Sequence, residues 1–278
     1  MKTTEALKAL DDLTVGQWGM VTTAQAAARG ITRLQLSRLA EQGHLERIGH
    51  GIYRDAGVLA GRFDAIKAAW LSIDTKRTAQ ERLSLTPCDA VVSGATAAYL
   101  FGLGDFVPEP YQFTVPARRQ TQRTELIFRV KRLPEDSVTQ REGLPVTTPE
   151  QTVADLMEDG TDRSLIADVV ADIDVLDSGK LIALLSPLAG RNGYKPGDGA
   201  PVYADLERLA RRDMDSLAKR VADTPLATKI VEQYVKTINP AKLEAMSSEL
   251  DSRTRKQLIE MATRMKSTVR PMDKEGGA

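Results

Sequence analysis

VTTAQAAARGITRLQLSRLAEQGHLERIGHGIYR, residues 21–54, is the stretch that decides the fold of the first part of this chain. Thr22 is followed three residues later by Gln25, and Thr32 is followed in the same way by Gln35. This is the spacing of a capping box, in which both side chains satisfy backbone donors that a helix start leaves unpaired. The stretch therefore predicts two short helices in close succession.

A glycine-cornered hairpin is expected after the second helix. Gly43 ends that helix, because glycine tolerates the left-handed conformation of a helix cap. Residues 45–48 and 52–54 then alternate apolar and polar side chains around the Gly-His-Gly turn at 49–51, as two short paired strands do. Two capped helices followed by a hairpin have the order of a winged helix-turn-helix, with the hairpin as the wing.

The second helix has an apolar face and a polar face. On a wheel of about 100° per residue, Leu36, Leu39 and Ala40 share one side, which we expect to be buried. In helix-turn-helix proteins the start of the second helix contacts base edges in the major groove, and flanking elements hold phosphates. This pattern predicts a DNA-binding module, although solvated arginines on a small protein-binding module remain the alternative.

The predicted DNA interface combines both elements. The expected base readers on the second helix are Arg33, Gln35, Ser37 and Arg38. Thr32 lies at the start of that helix and is included in the interface. The expected backbone or minor-groove contacts, where positive charge releases counterions, are Arg29, Arg47, His50 and Arg54.

The length and the net charge of the chain limit its possible domain organisation and the origin of any affinity for nucleic acid. The 278 residues suit two domains, and we predict a winged helix over 1–57 and an α+β domain over 58–278 whose C-terminal region, about 202–278, is helical. The 38 basic residues are balanced by 38 acidic ones. Any affinity for nucleic acid must therefore come from local patches of charge.

The residue types exclude several kinds of site. Cys88 is the only cysteine, which rules out an intramolecular disulfide and a multi-cysteine zinc site. The two histidines, His44 and His50, both lie in the predicted winged helix. No apolar run reaches the length of a membrane span, and the N-terminus lacks the order of a signal peptide. We expect a soluble, cytoplasmic protein with no membrane partner, no metal and no cofactor.

The predicted second domain mixes strands and helices. Helices are expected over 62–72 and 93–102, the latter capped by Ser93, and a strand is expected over 90–92. Thr148, Pro149 and Gln151 then have the order of a further helix start with a capping box.

Two more strands with a basic connection are predicted between these helices. Residues 111–116 and 125–133 alternate as strands do and are expected to form a hairpin. Its connection carries Arg118, Arg119 and Arg123, which are either solvated or a second phosphate or partner contact.

An acidic stretch raises the alternative of an enzyme. From residue 158 onward carboxylates become frequent, and residues four apart on a helix share a face. The only plausible metal-binding carboxylates are Asp155, Glu158, Asp168 and Asp172. The stretch lacks a glycine-punctuated calcium loop, so a solvated acidic helix and a protein that is not an enzyme are the favoured interpretation.

Three segments resemble the AbiEi-type antitoxins of type IV toxin–antitoxin, or abortive infection, systems. They are GHLERIGHGIYR in the wing, VVSGATAAYLFGL over the small-residue helix, and GLPVTTPEQTVADL at the later helix start. Their order and spacing over residues 21–156 carry the resemblance. It implies a non-catalytic protein that represses its own operon by binding inverted-repeat, double-stranded DNA, and that counters a nucleotidyltransferase-like toxin through its C-terminal domain.

Two departures from this implication stay open. The first is a DNA-binding regulator whose second domain binds a ligand or dimerises, without any toxin. The second is a nuclease-like C-terminal domain, which some relatives with this N-terminus carry; the chain shows no acidic residue followed by a Glu-x-Lys arrangement on strands, which argues against it.

Overall fold

The computed structural model describes residues 3–222, and all contacts given below lie within the unit Met1–Arg211. The N-terminal part of this unit is a winged helix. Its elements in chain order are α1 (Thr3–Thr14), β1 (Met20–Thr22), α2 (Thr23–Ala28), α3 (Arg33–Glu41), β2 (Leu45–Gly49) and β3 (Ile52–Asp55).

The sheet of the winged helix has three antiparallel strands in the order β1-β3-β2. The two wing strands were predicted, but β1 was not. β1 has only three residues, all of them buried, which is too short a segment to show the alternation of apolar and polar residues that identifies a half-exposed strand. The module packs around Ile31, Leu36 and Leu39, to which α1 adds Leu10 and Leu13.

The remaining elements form a mixed α/β region. They are α4 (Asp64–Leu71), α5 (Ala79–Leu83), β4 (Val91–Val92), α6 (Gly94–Phe101), β5 (Tyr111–Val115), β6 (Leu126–Val130), β7 (Val138–Arg141), β8 (Leu144–Thr147), α7 (Pro149–Glu158), α8 (Arg163–Asp172), α9 (Ser178–Leu185) and α10 (Ala200–Ala222). Short 3-10 turns lie at Glu135–Ser137, Ser186–Leu188 and Gly190–Asn192. The predicted α+β class is confirmed. None of the helices in the described part of the chain is both long and apolar enough to cross a membrane.

The five-stranded sheet corrects one prediction. Its order is β6-β5-β4-β8-β7, and β5 pairs with β6 in parallel, with Tyr111 opposite Leu126. The predicted hairpin over these two strands is therefore wrong, and the basic segment 116–125 is a crossover that returns along the sheet. Alternation identifies a strand but carries no information about its direction.

Two helix starts differ in detail from the predictions. Ser93 makes no side-chain cap, and the backbone N–H of Ala95 instead donates to Gln112 on β5. Thr148 does cap α7, but the Gln151 side chain donates to Asp155 and does not complete the capping box. At α6 a tertiary partner replaces the local cap, whereas at α7 the Gln151 side chain bonds one turn further along its own helix.

One apolar core joins the two sheets. Met20 and Ile52 from the winged helix pack in the same core as Trp70 and Phe113, and the rings of Trp18 and Trp70 meet edge to face with centroids 6.1 Å apart. A further core lies among α6 to α10. A domain boundary at residue 57 stays a prediction.

The C-terminal region predicted to be helical, about 202–278, is described only at its start. That start corresponds to α10. The rest of the predicted region lies outside the described residues.

Candidate nucleic-acid interface

The start of α3 is fixed by the predicted capping box. The Thr32 hydroxyl accepts from the backbone N–H of Gln35 at 3.3 Å, and the Gln35 carboxamide oxygen accepts from the backbone N–H of Thr32 at 2.8 Å. The same oxygen accepts from the Thr32 hydroxyl. A glutamine that reads adenine needs this oxygen as an acceptor. The cap predicted for Gln35 is therefore present, and its second predicted role, as a base reader, competes with the cap for this oxygen.

A matching capping box orients α2. Thr22 and Gln25 cap the helix, and Gln25 continues into a buried set of hydrogen bonds with Gln17. From there Gln25 donates to the carbonyl of Arg77 at 2.8 Å, and Gln17 accepts from the backbone N–H of Ala79 at 3.1 Å. These bonds hold α2 and the residues before it to the start of α5. No sequence pattern indicates these bonds, because a glutamine near a helix start has the same local sequence whether its carboxamide is buried or exposed.

Exposed arginines surround α3 and the wing. Arg33 and Arg38 are exposed on α3, Arg29 is exposed at the end of α2, and Arg47 is exposed on β2. None of the four forms an ion pair with another described residue; Arg47 donates to the carbonyl of Gly49 at 3.4 Å. This part of the surface therefore carries positive charge that no carboxylate of the described fold neutralises.

The three remaining predicted contacts are also on the outside of the module. His50 is exposed in the wing turn, and Thr32 is exposed at the helix start. Ser37 is half-buried, and its hydroxyl donates to Glu41 at 3.2 Å. The structure brings all of these side chains to the surface formed by α3 and the wing.

Arg54 is the clear departure from the predicted interface. It is only 6% exposed, and its guanidinium forms ion pairs with Glu46 on the neighbouring strand and with Asp64 on α4. Burial lowers the pKa of Arg54, but its hydrogen bonds and ion pairs with both carboxylates outweigh this effect and raise it above the ordinary value. The expectation that Arg54 contacts DNA is corrected, because its charge is already neutralised inside the fold.

The three arginines of the crossover 116–125 do not converge on one point. Arg119 lies 3.5 Å from Asp89 and donates to the carbonyl of Ile73 at 3.1 Å, and Arg123 pairs with Glu125 at 2.7 Å. Arg118 alone of the three has no ion pair with a described residue. An open cavity of about 640 Å³ lies here, lined by Arg118, Arg119, Gln120, Thr121, Gln122 and Phe128.

The carboxylates considered for a metal site bond within the fold. Asp155 is fully buried, 2.9 Å from Arg129 and 2.8 Å from the Gln151 amide. Burial raises the pKa of Asp155, although the charge of Arg129 acts in the opposite direction.

The other candidate carboxylates also have partners. Glu158 pairs with Lys131 at 3.2 Å, and Asp172 accepts from the backbone N–H of Gly104 at 2.8 Å. Asp168 likewise interacts with a neighbour. No group of three or more His, Cys, Asp or Glu residues among the described positions has the arrangement of a metal site.

Comparison with known proteins accounts for both parts of the chain. Residues 8–54, which hold the winged helix, match the family model "Transcriptional regulator, AbiEi antitoxin", and residues 90–185 match the model "AbiEi antitoxin C-terminal domain". The two matches together cover just over half of the chain.

Among solved structures, the chain is similar to the crystal structure of the RV2827C protein from Mycobacterium tuberculosis, with a TM-score of 0.46 and 16% sequence identity over 74% of this chain and 77% of that chain. No curated protein matches. The two family models match the chain in the same order as its two sheets. The chain therefore belongs to the AbiEi-type antitoxins, whose N-terminal part is a transcriptional-regulator module.

Proposed function

We propose that this chain is a type IV antitoxin that represses its own operon through the winged helix and counters a nucleotidyltransferase-like toxin through the region that follows. The observation that carries the DNA-binding half is the set of exposed arginines around α3 and the wing: Arg29, Arg33, Arg38 and Arg47. The family of the chain supports the toxin-directed half.

In this proposal the first turns of α3 enter the major groove. Arg33 and Arg38 then reach base edges, where a bidentate arginine recognises guanine. Arg29, Arg47 and His50 lie at the flanks and contact phosphates, which position the protein without reading sequence. Two copies on an inverted repeat place their helices about 34–36 Å apart or at multiples of that distance.

The second region is proposed to act by binding and not by catalysis. The carboxylates that a metal-dependent mechanism would need are engaged in ion pairs and hydrogen bonds, as described above. Burial also raises the pKa of Cys88, and a thiol with a raised pKa has little of the nucleophilic thiolate form.

Titration of the full chain against DNA tests the first half. We expect tighter binding to DNA from upstream of its own gene than to unrelated DNA, with an affinity that falls as salt increases. The variant R33A/R38A is expected to lose the preference for the upstream DNA. R132A is the matched control, because Arg132 is an exposed arginine outside the winged helix. Equal binding of both DNAs by the wild-type chain would overturn the proposal.

Co-expression tests the second half. The chain is expected to restore growth when a nucleotidyltransferase-like protein encoded beside it is induced, and R33A/R38A is expected to restore growth equally well. Absence of protection, with DNA binding intact, favours the alternative of a ligand-responsive regulator. The cavity beside Phe128 is the observation that supports this alternative.

A further inference from the structure

Leu34 is an exposed apolar side chain on the solvent-facing side of α3. It is 60% exposed, although it lies in the first turn of a helix whose other leucines, Leu36 and Leu39, are buried. At about 100° per residue, Leu34 lies about 170° around the helix from the midpoint of those two leucines. Leu34 is not among the predicted interface residues, because the sequence pattern of α3 distinguishes its buried apolar face from its polar residues and does not identify an exposed leucine.

The neighbours of Leu34 on the helix surface are members of the proposed interface. Ser37 and Arg38 are three and four residues further along, which places them beside Leu34 on the same face. Residues at the start of the second helix are those that reach base edges in helix-turn-helix proteins. Leu34 therefore occupies the part of α3 that enters the groove most deeply if the module binds DNA.

The major groove offers one apolar group on its base edges, which is the C5-methyl group of thymine. The other edges present donors and acceptors, which leucine cannot satisfy. Resting on the proposed DNA binding, we infer that Leu34 contacts a thymine methyl group and so determines specificity at that base pair. Arg38, on the next turn, is placed to read an adjacent base.

Replacement of thymine by deoxyuridine tests this contact, because it removes the methyl group and keeps the hydrogen-bonding edge. The thymines within the stretch of upstream DNA that the protein binds are replaced by deoxyuridine one at a time. The Kd of each duplex is measured for the wild-type protein and for Leu34→Ala. At one position in each half-site we expect deoxyuridine to weaken wild-type binding about three- to tenfold. Leu34→Ala is expected to weaken binding to the thymine duplex by a similar factor and to bind the thymine and deoxyuridine duplexes equally.

Leu59→Ala is the matched control. Leu59 is 93% exposed and lies outside α3, so its replacement removes an exposed leucine without affecting the proposed contact. Leu59→Ala is expected to discriminate thymine from deoxyuridine as wild type does.

Three outcomes overturn the inference. If Leu34→Ala still discriminates thymine from deoxyuridine, another residue makes the contact. If Leu34→Ala weakens all sequences equally, Leu34 contributes to docking and not to specificity. If wild type binds the upstream DNA no better than unrelated DNA, the proposed function fails together with the inference. The first two outcomes leave the proposed function intact.

Discussion

Two arginines of α3 and two arginines of the mixed α/β region differ in whether a carboxylate of the fold neutralises their charge. Arg33 and Arg38 on α3 are exposed and have no ion pair with a described residue. Arg82 and Arg129 are bonded to Asp89 and Asp155 within the fold. The residue type is the same, but only the first pair has charge available for a polyanion. The presence of a carboxylate beside the guanidinium, and not the residue type, distinguishes an arginine that stabilises the fold from one that is a candidate DNA contact.

The largest expected effect is on the structural side of this comparison. Arg82 is 1% exposed, donates to Asp89 and to the carbonyl of Trp70, and stacks 3.5 Å from the Trp70 ring. Arg82→Ala leaves the buried Asp89 with one ion pair among the described residues, to Arg119 at 3.5 Å. We expect it to lower the free energy of unfolding by about 3–5 kcal/mol in urea denaturation.

The control for Arg82 is Arg118→Ala, since Arg118 is exposed. Its effect on stability is expected to stay within about 0.5 kcal/mol. Equal stability of the two variants would contradict the structural role of Arg82.

The second prediction concerns Arg54, which belongs to the winged helix but has the partners of a structural cation. Arg54→Ala removes charge-assisted hydrogen bonds to Glu46 and Asp64, and we expect it to lower the free energy of unfolding by about 1.5–3 kcal/mol. The dependence of DNA affinity on salt is expected to stay unchanged in the folded variant. A weaker salt dependence with unchanged stability would return Arg54 to the DNA interface.

The third prediction concerns specificity. Arg38→Ala is expected to weaken binding to the upstream DNA by about 1–3 kcal/mol and to relax the preference at one base pair, if Arg38 reads a guanine. Its thermal unfolding is expected to match that of wild type, because Arg38 is exposed. Arg132→Ala is the control for the loss of one surface charge. If Arg38→Ala and Arg132→Ala bind the upstream DNA with the same affinity, Arg38 does not contact the DNA.

The smallest expected effect is at the wing. Arg47→Ala is expected to reduce the slope of log affinity against log salt concentration by about 1, and to weaken upstream and unrelated DNA alike. Arg47 lies on the strand beside Arg54, so the two variants compare one exposed and one buried arginine of the same hairpin. A change confined to the upstream DNA would show that Arg47 reads sequence.

The parts of the winged helix that the sequence predicts are those formed by residues close together along the chain. Both capping boxes and the wing are local patterns: Thr32 and Gln35 are three residues apart, and β2 and β3 are joined by a two-residue turn. Local patterns of this kind determine their own geometry. β1 was missed because it pairs with β3, which lies about 30 residues further along the chain.

The sequence by itself determined the winged helix and the α+β class, because capping residues, glycine turns and alternation act over a few residues. The resemblance to the family rested on three segments of the sequence. Only the tertiary structure decided that β5 and β6 are parallel and that Arg54 pairs with Asp64. It also decided that Leu34 lies exposed on the face of α3 opposite the buried leucines. Strand direction, burial and ion pairing depend on which distant residues meet, and a sequence pattern does not contain that information.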